Sequence, residues 1–150
     1  MTILLDTNIL TRAAQPHHPM HQPAVDAVAT LRLRGEALYL APQNLYEFWV
    51  VATRPPGENG LGMDVVQAQS ELSTLKAMFS LLDDTSAILP EWERLVSHYQ
   101  VKGKNGHDAR LVAAMIIHGI ECLLTFNVAD FQRYREITVT SPEAVLTSSS

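Results

Sequence analysis

The chain has 150 residues, 47% of them apolar, which suits one hydrophobic core rather than two. No apolar run reaches the roughly 18 residues of a membrane span and no basic-then-apolar leader is visible; the single cysteine, Cys122, excludes an internal disulfide and points to a reducing cytoplasm. A net charge of −5, from 16 acidic residues against 11 Lys and Arg, argues against a passive nucleic-acid coat, but not against an enzyme whose clustered acids hold divalent cations.

Residues 2–5, TILL, read as a short buried strand. TNILTRAA (7–14) reads as a short helix stopped before Pro16, and PHHPMHQPA as a proline-rich loop. A helix is expected from about Pro23 to Arg34, ended by Gly35. ALYLAP (37–42) reads as a second strand cut by Pro42, and QNLYEFWVVAT (43–53) as a helix broken by RPPGENGLG. From Asp64 to about Phe79 the spacing predicts an amphipathic helix with Val65, Ala68, Leu72, Leu75 and Phe79 towards the core.

FSLLDD reads as a third strand, and TSAILPEWERLVSHY as a helix that Pro90 either kinks or delays. GKNGHDARLVAAMIIHG is the clearest helix, closed by Gly119. IECLLTF and ITVT supply the fourth and fifth strands, and SPEAVL a closing turn. The domain is expected over 1–146, with 147–150 a frayed tail. Short strands alternating with helices imply an α/β fold, a parallel sheet covered on both faces. Such sheets bind ligands beyond the carboxyl ends of their strands, near a topological switch point.

Asp6 stands at the carboxyl end of the first strand, where it either caps the next helix or begins a metal site. Glu47 lies between Tyr46 and Phe48 on an otherwise apolar helix, and is either a surface glutamate or a second acid of that site. Asp108 opens the clearest helix, where capping alone would explain it, yet the same position aims a carboxylate at the edge of the sheet. The fourth patch, TFNVADF, places Thr125, Asn127 and Asp130 just past a buried strand, in a segment where any turn favours Asn and Asp. Carboxylates gathered this closely cannot all stay ionised without a cation. Oxygen ligands favour Mg2+ or Mn2+, and hard cations held this way suit phosphodiester hydrolysis.

Taken together, LLDTNIL, the helical Glu47, HDARLVAA and LLTFNVADF resemble PIN-domain nucleases, most closely the VapC-type toxins of toxin–antitoxin pairs. The likeness covers essentially the whole chain. It implies a PIN-like single domain, with a twisted parallel sheet of four to five short strands flanked by helices, and a pocket holding Mg2+ or Mn2+ that cleaves RNA. Asp6, Glu47 and Asp108 match the family's core acids and metal ligands; Asn8 matches the residue supporting the first, and Thr125 the hydroxyl ending the fourth strand. Many relatives carry an aspartate two residues after that threonine, where this chain has Asn127, which can orient water but adds no charge. Asp130 either compensates, as a fourth catalytic carboxylate, or anchors its own turn. The resemblance also implies a homodimer and a protein antitoxin.

Arg12, Lys102, Lys104, His107 and Arg110 are candidates for contact with RNA. Tyr46, Phe48 and Trp49 read as core or dimer contacts rather than base-stacking platforms, and the histidines of HHPMH do not make a zinc site. Two other functions compete. A scaffold that binds RNA or protein without turnover is favoured by Asn127 and opposed by Asp6, Glu47 and Asp108. A haloacid-dehalogenase-type phosphotransferase would want an aspartate where Asn8 stands.

Overall fold

Every described strand is four residues or fewer, and the three at the centre hold their place mainly through buried apolar side chains. The structure, a computed structural model, describes residues 1–148. Among these, β1 (Thr2–Leu5), β2 (Ala37–Leu40), β3 (Ser80–Leu81), β4 (Cys122–Leu124) and β5 (Thr138–Thr140) form one sheet in the order β3-β2-β1-β4-β5. All the pairings are parallel. Connections leave the central β1 towards β2 and return beyond it to β4, so the topological switch point lies between β1 and β4.

Side chains alternate across the pleat. Ile3, Leu5, Leu38, Leu40, Cys122 and Leu124 face one layer. That layer packs α1 (Thr7–Ala13), α2 (His21–Leu33), α3 (Pro42–Thr53), α4 (Val65–Met78) and α7 (Pro142–Thr147). Leu4 and Leu123 face the other, where α5 (Ile88–His98) and α6 (Asn105–His118) pack with Phe131 and Tyr134. Gly35 and Gly119 end α2 and α6 with φ of 77° and 69°, the left-handed geometry a glycine adopts most readily.

The structure moves several expected boundaries, mostly at prolines. α2 begins at His21 and carries Pro23 as its third residue, where a helical N–H has no partner to lose. Pro42 opens α3 instead of cutting β2, and α5 starts at Ile88 with Pro90 in its first turn. Val65 is exposed, so the core face of α4 is Ala68, Leu72, Leu75 and Phe79. Asp108 does not cap α6: Lys104 precedes the helix without a side-chain cap, and Asp108 is the fourth helical residue. Of the expected tail, Thr147 ends α7 and Ser148 accepts a hydrogen bond from Arg34, while Ser149 and Ser150 lie outside the described residues. No described helix is long and apolar enough to cross a membrane.

Leu4 is fully buried in the central strand. Leu4→Ala is therefore expected to cost about 2–5 kcal/mol, read from urea unfolding, through lost burial and an unfilled cavity.

Candidate active site

Asp6 and Thr125 are the first residues past the ends of two neighbouring strands. The Asp6 N–H donates to the Leu124 carbonyl at 2.9 Å, and the Thr125 N–H to the Thr140 carbonyl at 3.0 Å, so the sheet itself sets the two side by side. The Thr125 hydroxyl donates to Asp6 Oδ2 at 2.7 Å, and the Thr7 N–H donates to Oδ1 at 2.8 Å. Asp6 thus does cap α1, and it does so while 8% exposed in a cavity of about 740 Å3. Burial pushes its carboxyl above the ordinary range; the bonds from Thr125 and Thr7 oppose that, and the charges of Glu47 and Asp130 add to it.

The proton of Thr125 has only one direction left to it. Its oxygen accepts from Asn8 Nδ2 at 3.2 Å and from the Asn127 N–H at 3.0 Å. The orientation of the Asn8 amide is set in turn, because its Oδ1 accepts from the Phe126 N–H at 3.3 Å. A second threonine repeats the device. The Thr7 hydroxyl donates to Glu47 Oε1 at 2.7 Å and accepts from Asn44 Nδ2 at 3.2 Å, while Asn44 Oδ1 is committed to the Ala41 N–H at 2.8 Å.

Gln43 ties the second acid to the third. Its Nε2 donates to the His107 carbonyl at 2.7 Å and lies 3.4 Å from Glu47 Oε2, and its Oε1 accepts from Arg110 at 3.2 Å. Arg110 also pairs with Asp84 at 3.1 Å. Among the described residues no donor reaches the half-buried Asp108 carboxylate. Its pKa is pushed up to about 6, first by burial and then by the charges of Asp6, Asp130 and Glu47, with His107 opposing.

Glu47, Asn8, Asn127, His107 and Arg110 line the same cavity as Asp6 and Asp108. Asp130 does not; it is exposed in the 3-10 turn Val128–Phe131, close enough for its charge to be felt by both aspartates. Arg12, Lys102 and Lys104 stand off the cavity: Arg12 donates to Gln15, and both lysines are exposed. The aromatic group divides. Phe48 is core, Trp49 packs beside it, and Tyr46 is 65% exposed on the lip of the cavity.

Thr7, Gln43 and Asn44 were not among the expected site residues. Their signal is positional: Thr7 follows Asp6 directly, and Gln43 and Asn44 precede Glu47 by four and three residues, on one helix face. Six polar or charged side chains are buried among the described residues: Asp6, Thr7, Thr11, Gln43, Asn44 and Thr125. All of them line the cavity or bond a residue that does.

A hard divalent cation fits this donor set by chemistry. The ligands would be oxygens, one carboxylate has no protein donor, and mutual repulsion raises the acids that a cation would relieve. Among the described residues no three His, Cys, Asp or Glu side chains stand close enough to clasp one ion, so binding would draw the carboxylates together.

The sequence matches the family described as PIN domain over residues 3–137. No curated protein sequence matches the chain. Among solved structures, the fold is similar to VapBC-1 from nontypeable Haemophilus influenzae, with TM-score 0.71 and 17% identity over 95% of this chain and 99% of that one. It is similar also to VapBC2 from Rickettsia felis, bound to a DNA fragment from their promoter, with TM-score 0.69 and 16% identity over 94% and 98%. A third is Mycobacterium tuberculosis VapC20, a sarcin–ricin loop cleaving toxin, with TM-score 0.58 and 19% identity over 81% and 86%. At these identities the likeness is one of fold.

The raised Asp108 pKa fixes the sign of a pH effect. The folded state favours the protonated carboxyl, so stability is lost as pH rises from the ordinary value of 3.8 through about 6. In chelator, Asp108→Asn should gain on the order of 1–2 kcal/mol at pH 7.5, after allowance for solvent screening, and progressively less towards pH 4. Urea unfolding at the two ends of that range is the check.

Proposed function

The chain belongs to the PIN domain family, and we propose that it is a Mg2+- or Mn2+-dependent endoribonuclease, the toxin of a toxin–antitoxin pair. The observation that carries this reading is the gathering of Asp6, Glu47 and Asp108 round one cavity at the switch point, with two of the three pushed towards protonation by burial and by the charges of neighbouring acids. Asp6, Glu47 and Asp108 would hold the ion, with Asp130 a further carboxylate at the rim. When bound, such an ion supplies Lewis acidity towards a phosphodiester oxygen and the attacking water.

The chain's own residues prepare that chemistry. Thr125 and Thr7 each direct a proton at one carboxylate, which fixes the rotamers of Asp6 and Glu47. Gln43 holds α3 against α6, and with it the separation of Glu47 from Asp108. Asn127 presents a neutral amide to the cavity, where it can orient water without adding charge. His107 and Arg110 are the groups on the wall suited to RNA phosphates.

RNA as substrate is supported by the fold shared with VapC20, and a protein antitoxin by the toxin–antitoxin complexes among the similar structures. The surface that suits such a partner is the apolar cleft of about 350 Å3 between α1, α2 and α4, where Val25 and Met78 stand exposed. We place the chain as a homodimer in the cytoplasm, its nuclease domain spanning 1–146. A second reading, a scaffold that binds without turnover, is favoured by Asn127 alone.

Purified protein should cleave single-stranded RNA with Mg2+ or Mn2+ and stop in EDTA. Asp6→Asn and Asp108→Asn should each lose on the order of 100-fold or more in rate, the scale of several kcal/mol of lost charge stabilisation. Clean, folded protein that binds RNA and both metals without cutting would instead establish the scaffold. Thr125→Val keeps the shape of the side chain and removes the bond to Asp6. It should weaken metal affinity roughly 10–100-fold while the protein stays folded, as read by metal titration.

A further inference from the structure

Leu89 is 62% exposed on α5, a helix whose other face is buried against α6. It is not an isolated surface residue. With Thr85, Ile88, Trp92 and Arg110 it walls a second cavity of about 320 Å3. Ile88, Leu89 and Trp92 are spaced to share one side of α5, and Arg110 reaches in from α6. The indole N–H of Trp92 donates to the Gly106 carbonyl at 2.8 Å, which fixes the ring in a half-buried position.

Arg110 lines both this cavity and the acidic one. Its guanidinium is pinned between Gln43 at 3.2 Å and Asp84 at 3.1 Å, so the shared wall is a fixed one. Those two contacts leave several of its five N–H donors available. The second cavity therefore offers apolar surface from Ile88, Leu89 and Trp92, with hydrogen-bonding groups from Arg110 and Thr85 at its edge. That combination suits a flat heteroaromatic ring with polar edges. The volume suits one such ring rather than a folded segment of chain. In a nucleic acid, base and phosphate are one ribose apart, and the two cavities are neighbours because Arg110 lines both.

We propose that this cavity receives one unpaired nucleobase of the strand cut at the acidic cavity, stacked against Leu89 and Trp92 with its edge towards Arg110. The proposal rests on the ribonuclease reading above and adds to it how the substrate is chosen. A base can enter only if it is unpaired or turned out of a helix, so duplex RNA is rejected without any contact that reads the duplex.

Trp92 is the reporter. The chain has two tryptophans, and Trp49→Phe leaves Trp92 alone to emit. In that background, with Asp6→Asn added to stop turnover, short single-stranded RNAs with a terminal fluorophore are titrated in Mg2+. Anisotropy reads binding and Trp92 emission reads the cavity. A matched series carries one abasic nucleotide, moved along the strand. Intact RNA should quench Trp92; the abasic site at one position should remove the quench and weaken binding roughly 10-fold. Protein with Asp6 restored, cutting the same series, should show a comparable KM ratio. Leu89→Ser, at an exposed position, should bring the intact-to-abasic ratio close to one.

RNA that binds with Trp92 emission unchanged and equal affinity at every abasic position overturns the base cavity and leaves the ribonuclease reading standing. An intact-to-abasic ratio that survives Leu89→Ser also overturns it. RNA that neither binds nor is cut removes both readings.

Discussion

A carboxylate buried beside other carboxylates is the constraint round which this molecule is organised. Asp6 sits almost wholly out of solvent, with Glu47 and Asp130 near enough to add to its difficulty, and its own charge adds to that of Asp108. Water would ordinarily satisfy such a group. Here the Thr125 hydroxyl and the Thr7 N–H do part of that work for Asp6, and the Thr7 hydroxyl does it for Glu47, each hydroxyl aimed by an asparagine whose own amide is committed elsewhere. The result is two oriented carboxylates in a site whose burial and mutual repulsion a divalent cation would relieve by drawing the acids together. Structural capping accounts for one oxygen of Asp6. It does not account for Asp108, which no donor among the described residues touches.

The sheet is what brings these groups together. In a parallel sheet all the strand carboxyl ends lie on one edge, and with β1 in the centre the chain leaves on both sides of it. The register Leu5 opposite Leu124 places Asp6 next to Thr125, although 119 positions separate them in sequence. α3 follows β2 and brings Glu47 to the same edge; α6 arrives from the opposite layer and brings Asp108. Short strands suffice because the alternating side chains are buried on both faces. The same arrangement gives the acidic cavity an apolar neighbour across Arg110.

Asp6 and Asp108 were legible in the sequence because each lies where an apolar element meets a turn, Glu47 because it interrupts an otherwise apolar helix, and all three because their motifs resemble those of a family. The bonds that orient them were not. Nothing local distinguishes Thr7 or Asn44 from any small polar residue near a helix start, since their partners lie 40 and 37 positions away. Gln43 reads as an ordinary helical residue until α6 is packed against it. Pro23, Pro42 and Pro90 all sit in the first turn of a helix, where a missing N–H costs nothing; in the sequence Pro23 reads as opening its helix, two residues late, Pro42 as cutting a strand, and Pro90 as kinking or delaying its helix. Asp108 read as a cap because Gly106 and Asn105 look like a turn, whereas both belong to the helix. Tyr46 and Phe48 are two residues apart, on opposite sides of α3, and so part company between cavity lip and core.

The claim on which the rest depends is that Asp6, Glu47 and Asp108 form one cation site. Crystals grown with Mn2+ and measured for anomalous scattering test it without reference to any substrate. A single cation site gives a peak bounded by those three carboxylates, lost when Asp108 is changed to Asn. Saturating Mn2+ with no peak between them, in crystals where the three side chains are ordered, would contradict it.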